Sequence, residues 1–433
     1  MAQEVSHNFS SKSIGRWLAV AAALIFIFTT LPYFIGMERG DSAWQFSGFV
    51  FGVEDGNSYI AKMRQGMLGD WLYRTPYTAY PQSGTLTNLS YLVMGKLVGG
   101  SEVRLQLILL FHAFRLLGIL FCLWAGFRFA EAIGLQKFQA LSVSILSMVG
   151  GGLGWLVLLG VRFRGFDGLP LEFYSPESFG FLMALGLPHL LFARGGLFLA
   201  VTSFMRISTR KPISAGLRAG TWLVTAWIFQ PQTPLLGYFV AALWLVVLAI
   251  RGLPNRELRQ KLLECIGFVL PSVPLVALSS AQFLLDPAGK GWYSQNQISS
   301  PPAGDYFLAY GLPLLLVFIG LVLRRRKMAA SEIFLLLWVA TLPILVYSPY
   351  VMQRRLADGI WFALCALVFL IWKAQTGRTA AYMVLISGVA TSLLLWGGSL
   401  VAVSAPATPV FVQTERTQLY SFLINLANDR TVV

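Results

Sequence analysis

Residues 17–71 read WLAVAAALIFIFTTLPYFIGMERGDSAWQFSGFVFGVEDGNSYIAKMRQGMLGDW. A first apolar span at about 17–35 is followed by two adjacent carboxylates, Glu54 and Asp55, and then by an amphipathic run. Ile60, Met63, Met67 and Trp71 recur at three- and four-residue spacings, which predicts one apolar helical face, with Ser58, Lys62 and Gln65 lying elsewhere. Such a helix suits a membrane surface. Asp55 stands near its N-terminus, where the macrodipole favours an anion. The pair therefore reads either as a solvated acidic cap or as a functional site.

Outward from this stretch the chain is apolar almost throughout. Of its 433 residues 56% are hydrophobic and only 12% charged, and its mean hydropathy is +0.66. Runs long enough to cross a bilayer recur from end to end, so the expected fold class is all-α and polytopic, with interfacial helices in the first outer loop. The 13 Trp and 15 Tyr fit that setting, since both favour the membrane interface. Cys122, Cys265 and Cys365 all lie in or beside apolar spans and read as small hydrophobes, with neither disulfide nor thiolate-metal spacing.

Lys12 and Arg16 precede the first span, and no small-residue cleavage site follows it, which favours a retained span over a signal peptide. Residues 36–103 form a long connection in which LTNLSYLVMGKLV, at 86–98, is too short to span and reads as interfacial or re-entrant. Further spans are expected at about 104–125, 138–160, 178–203, 213–229, 234–250, 262–284, 306–323, 332–348, 356–372 and 380–403, which makes about 11. GGGLGW at 150–155 permits close helix packing or a local break. Pro231 and Pro234 demand a tight reversal between two spans. The expected organisation is a transmembrane domain over 1–403, with outer loop 36–103, and a short outer tail at 404–433 that opens a truncated extramembrane domain. Tyr420, Phe422 and Leu426 are the tail's candidate packing residues.

The formal charge of +14 is unevenly placed. With the N-terminus inside and alternating spans, the inner side takes 18 basic and 5 acidic residues and the outer side 13 and 14, with Arg115 and Arg194 inside spans. That is the positive-inside pattern, so the charge orients the chain and attracts anionic lipid, and nucleic acid is excluded as a partner. The expected setting is a membrane crossed many times, with the N-terminus on the inner side and the C-terminus outside.

The same topology puts Glu54 and Asp55 outside, where a carboxylate can take a proton from a sugar hydroxyl while an apolar-tailed substrate lies in the lipid. Lys62, Arg64 and Arg74 either pair with these acids or contact phosphate. In the next outer loop Arg162, Arg164, Asp167, Glu172 and Glu177 read as a saccharide or phosphate pocket, or equally as an interfacial turn. His189, beside Pro188 in the fourth span, is an intramembrane polar residue with either a functional role or one interhelical hydrogen bond. Arg354 and Arg355 run against the positive-inside trend, which suits them to a phosphate or diphosphate, with Tyr350 and Gln353 assisting; snorkelling or pairing with Asp358 is the alternative. Trp292, Tyr293 and Asp305 are weaker candidates for sugar contact. With three histidines and no Gly-rich nucleotide loop or HExxH, a histidine-rich metal centre is excluded, whereas a lone carboxylate can still hold Mg²⁺ or Mn²⁺ with phosphate.

This layout resembles the multi-pass glycosyltransferases of the C superfamily, which use polyprenyl-phosphate-linked sugars. The likeness rests on one span followed by a long outer loop with an acidic pair and interfacial helices. EDGNSYIAKMRQG, GGGLGW, LPH at 187–189 and QRRLADG further resemble a poorly characterised bacterial branch, which implies a bacterial cytoplasmic membrane. The resemblance implies inverting transfer of a sugar to a saccharide, lipid or protein acceptor, with Asp55 or Glu54 as base and Arg354 and Arg355 near the donor phosphate. The competing expectation is a transporter or flippase for a lipid-linked or amphiphilic solute, built from inverted halves.

Overall fold

A computed structural model of the chain describes residues 11–78, 80–163, 166, 168–207, 211–372 and 374–419, with the backbone alone for 11, 12 and 374–381. The protein is an all-α polytopic membrane protein. In order, α1 is Ser11–Glu38, α2 Val53–Met67, α3 Leu89–Gly95, α4 Val103–Ala132, α5 Lys137–Val149 and α6 Trp155–Leu158. There follow α7 Gly180–Gly186, α8 Pro188–Met205, α9 Pro212–Phe229, α10 Thr233–Ile250, α11 Asn255–Val269, α12 Val273–Leu285 and α13 Pro287–Gln295. Then come α14 Ala303–Val322, α15 Ala330–Ala340, α16 Leu342–Val346, α17 Ile360–Ile371 and α18 Ala374–Ala402. Among the described residues six helices are long and apolar enough to cross a membrane, or seven if α11 and α12, bent by 45°, make one span. Every span expected from the sequence coincides with a helix or a broken pair of helices, but several are too short to count by length alone.

The expected third span is the clearest departure. Its helix stops at Val149, not near 160, because GGGLGW is pressed into the core. A Cβ on Gly151 would overlap Thr391, on Gly152 the backbone of Ala309, and on Gly154 Pro170 and Glu172. Backbone freed from a helix inside a membrane protein needs other partners. Here Trp361 Nε1 donates to Leu146 O (3.0 Å), Ser392 Oγ to Val149 O (2.8 Å) and Ser387 Oγ to Gly152 O (2.7 Å). The reversal at Pro231 and Pro234 falls where expected, between the end of α9 at Phe229 and the start of α10 at Thr233.

Contacts at the two ends of the bundle join segments that alternating spans assign to the same side. At one end Ser83 N and Oγ donate to Asp286 Oδ2 (both 3.0 Å), and Leu86 N to Gln282 Oε1 (2.8 Å). At the other Arg251 donates to Met328 O (3.2 Å), and Arg324 and Arg326 bracket Glu332 at 2.7 and 2.5 Å. The tail returns to the first loop: β2 (Phe411–Gln413) pairs antiparallel with β1 (Trp44–Phe46), Trp44 opposite Gln413. Tyr420, Phe422 and Leu426 lie outside the described residues.

Candidate functional site

The acidic pair opens α2. Gly52, at φ +56°, supplies the left-handed turn into the helix, and Glu54 and Asp55 occupy its first turn. The buried face of α2 is Val53, Gly56, Tyr59, Met63 and Gly66, so both acids stay exposed. Ile60 and Met67 are only half-buried, and Trp71, expected on the same face, is not on the helix at all. The chain leaves α2 through Gly69 at φ +105°, and Trp71 is 60% exposed with its ring 4.3 Å from Lys96 Nζ. The expectation from spacing took large apolar residues as the buried stripe, whereas two glycines and a tyrosine make up three of its five members.

One glycine on each of α2 and α3 sets the site. A Cβ on Gly66 would collide with the Leu92 carbonyl and one on Gly95 with the Met63 carbonyl, so α2 and α3 touch backbone to backbone. The approach lays Tyr91 flat on Tyr59, with centroids 4.6 Å apart and planes 3° apart. Tyr91 Oη is 2.9 Å from His189 Nδ1 on α8, which places His189 in a side-chain hydrogen bond behind the site. Lys62 Nζ stands 5.0, 5.5 and 5.9 Å from the rings of Tyr59, Tyr73 and Tyr91, a cation over three aromatic faces.

Partial desolvation raises the Asp55 carboxyl above its ordinary range; Lys62 and then Arg355 pull it back, and Glu54 and Glu177 add to the rise. Burial lowers the Lys62 ammonium to about 8 against the opposing pull of Asp55, with Arg355 lowering it further. Burial, and then the Asp55 charge, raises the Tyr59 hydroxyl, which stays protonated. Asp55, Lys62 and Arg355 thus sense one another across α2 and the segment before α17.

A buried ion pair holds that segment. Arg194 Nε donates to Asp358 Oδ1 (2.6 Å), Arg194 Nη2 donates to Glu177 O, and Arg355 Nε is 3.0 Å from Glu177 Oε1. With side-chain exposures of 3% and 10%, Arg194 and Asp358 are shielded from water, and removing one leaves the other charged and unpaired. Asp358→Ala is expected to destabilise the protein by about 3–5 kcal/mol, read as a lower unfolding midpoint in detergent.

The other candidates scatter. Arg354 turns away from its neighbour and lays its guanidinium 4.8 Å from the Tyr174 ring, so the two arginines do not converge on one phosphate. Glu172 is fully buried: Gly154 N donates to its Oε1 (2.6 Å), and burial pushes its carboxyl up to about 7. It caps the GGGLGW break. Arg74 pairs with Asp70 at 3.5 Å in the open, while Arg64 and Arg162 are exposed. Arg164 and Asp167 lie outside the described residues. Tyr350 is half-buried within the field of Arg355. Trp292 stacks on Phe283 at 5.5 Å.

Sequence reasoning missed Tyr59, Tyr91 and Arg194. The tyrosines are 32 positions apart and become a pair only through the glycine contact, which no local spacing announces. Among the described residues no three His, Cys, Asp or Glu side chains converge as metal ligands. Glu177 and Asp358 are committed to Arg355 and Arg194.

Neither a family model nor a curated sequence matches this chain. Among solved structures it is similar to the archaeal oligosaccharyltransferase AglB from Archaeoglobus fulgidus, solved in complex with an inhibitory peptide and a dolichol-phosphate. The TM-score is 0.51 at 10% identity over 94% of this chain. The likeness is one of fold, and this chain spans 58% of the length of that one.

Proposed function

We propose that this protein transfers a sugar from a polyprenyl-phosphate donor to an acceptor hydroxyl at the outer face of the membrane. The observation that carries the reading is an accessible carboxylate, Asp55, set against two cations, Lys62 and Arg355, on a surface helix of a fold shared with an oligosaccharyltransferase. Asp55 takes the acceptor proton as the acceptor oxygen bonds to the anomeric carbon. The bond from that carbon to the phosphate breaks, and the electron pair leaves with the polyprenyl phosphate. Lys62 and Arg355 offset the charge that develops there. Attack opposite the leaving group inverts the anomeric centre. The membrane is a bacterial cytoplasmic membrane, with the N-terminus on the Lys- and Arg-rich side. The lipid-linked donor is also consistent with the dolichol-phosphate held by the structural neighbour.

The test is transfer of labelled sugar from a panel of polyprenyl-phosphate sugars by the purified chain. Uptake of an intact lipid-linked solute without any new glycosidic bond would replace this reading with the flippase. The pH profile adds a signature. The base works only when ionised, so kcat/KM is expected to fall as pH drops through the raised Asp55 value. The cation works only when protonated, so the rate also falls as pH rises past about 8, where Lys62 is lost. Lys62→Arg, which keeps its proton, is expected to extend the alkaline limb upward. An unchanged limb would remove Lys62 from the phosphate's surroundings.

A further inference from the structure

A cleft of about 300 Å³ opens at the C-terminal end of α1, between it, β1 and α4, with Met37, Asp41, Trp44, Phe46, Ile108 and His112 in its walls. Neither Asp55, Lys62 nor Arg355 lines it. Behind it Arg115 is 0% exposed. Its Nε donates to Ala184 O (3.0 Å), Nη2 to Thr29 Oγ1 (2.7 Å) and Nη1 to His112 Nδ1 (2.7 Å), and its plane lies 4.7 Å from the Tyr33 ring. All these partners are neutral, and among the described residues no carboxylate reaches ion-pair distance. A buried intramembrane charge left uncompensated is costly and marks a candidate binding site.

Arginine can only donate, so His112 Nδ1 must accept and the ring proton sits on Nε2. No described residue accepts from that Nε2–H, and His112 lines the cleft. The cleft therefore offers a donor with a full positive charge directly behind it. At the rim stands the opposite sign: Asp41 is exposed, with one carboxylate oxygen accepting from Ala43 N (2.7 Å) and Trp44 N (2.8 Å) and the other unengaged. An anion alone would meet Asp41, and a cation alone would meet Arg115. A zwitterion satisfies both. Apart from Gln45 the rest of the wall is apolar or glycine, and the adjoining face of α1 is exposed at Phe34 (60%) and Met37 (50%), as for a surface against acyl chains.

We propose that this cleft seats the headgroup of a membrane aminophospholipid. A phosphate oxygen accepts from His112 Nε2–H in the field of Arg115, the primary ammonium reaches Asp41, and the tails follow α1. The test is native mass spectrometry of the full chain in detergent, titrated with short-chain phosphatidylethanolamine, phosphatidylglycerol and phosphatidylcholine. Phosphatidylethanolamine is expected to bind roughly threefold more tightly than phosphatidylglycerol, the size an exposed ion pair supports. Phosphatidylcholine, whose quaternary ammonium cannot donate a hydrogen bond, binds more weakly than phosphatidylethanolamine. Asp41→Asn keeps an acceptor for the two backbone N–H groups while removing the charge, and is expected to erase the preference. His112→Phe is expected to lose both phosphatidylethanolamine and phosphatidylglycerol, with the unfolding midpoint confirming that it is folded. Equal binding of the three lipids by the native chain, or a preference that survives Asp41→Asn, would overturn the proposal.

Discussion

Asp55→Asn is expected to lower sugar transfer by about 10²–10⁴-fold, the contribution of a positioned general base, while leaving donor binding nearly unchanged. Glu54→Gln is expected to retain most of the activity. The two residues are neighbours in sequence and both are exposed in the first turn of α2, yet their surroundings differ. Desolvation raises the Asp55 carboxyl, and the charges of Lys62 and Arg355 act on it. A base must ionise near neutral pH and must also hold a proton once it has taken one, and a raised carboxyl does both better than an ordinary one. The decisive comparison is single-turnover transfer by the two variants at saturating donor. Loss in Glu54→Gln with retention in Asp55→Asn would exchange their roles, and full activity in both would end the assignment of a base on α2.

The second large effect is structural. Gly66→Val is expected to abolish transfer together with a loss of about 1–3 kcal/mol in stability, because the added atoms meet the backbone of Leu92, which cannot rotate away as a side chain could. Relief requires α3 to move off α2, which separates Tyr91 from both Tyr59 and His189. Gly95→Val attacks the same contact from the other helix, at the Met63 carbonyl, and is expected to behave alike. The control is Gly311→Ala in α14, where an added Cβ meets nothing within 4 Å. Thermal unfolding and transfer are measured on the same preparations. A Gly66→Val protein with native activity would show that the stacked tyrosines do not matter to the site.

The fold class was legible because long apolar runs have one common explanation, and charge segregation arranged them into alternating ends. The acidic pair was legible because its place after the first span is a linear feature. What stayed hidden depends on partners distant in the chain. The α2 stripe was misassigned at Trp71 because periodicity weighs side-chain hydrophobicity, whereas this helix buries glycines for their lack of one. Arg354 and Arg355 looked equivalent as adjacent guanidiniums. A short 3₁₀ turn over Gln353–Ala357 sends one to Tyr174 and the other to Glu177, and no sequence pattern distinguishes them.

The break after Val149 also has a consequence in time. Its carbonyls at Leu146, Val149 and Gly152 are satisfied by Trp361, Ser392 and Ser387, which a ribosome makes more than 200 residues later. Until then the half-made chain carries polar backbone that hydrocarbon cannot solvate, at several kcal/mol for each group. The GGGLGW break is therefore completed only once α17 and α18 have been made and packed against it.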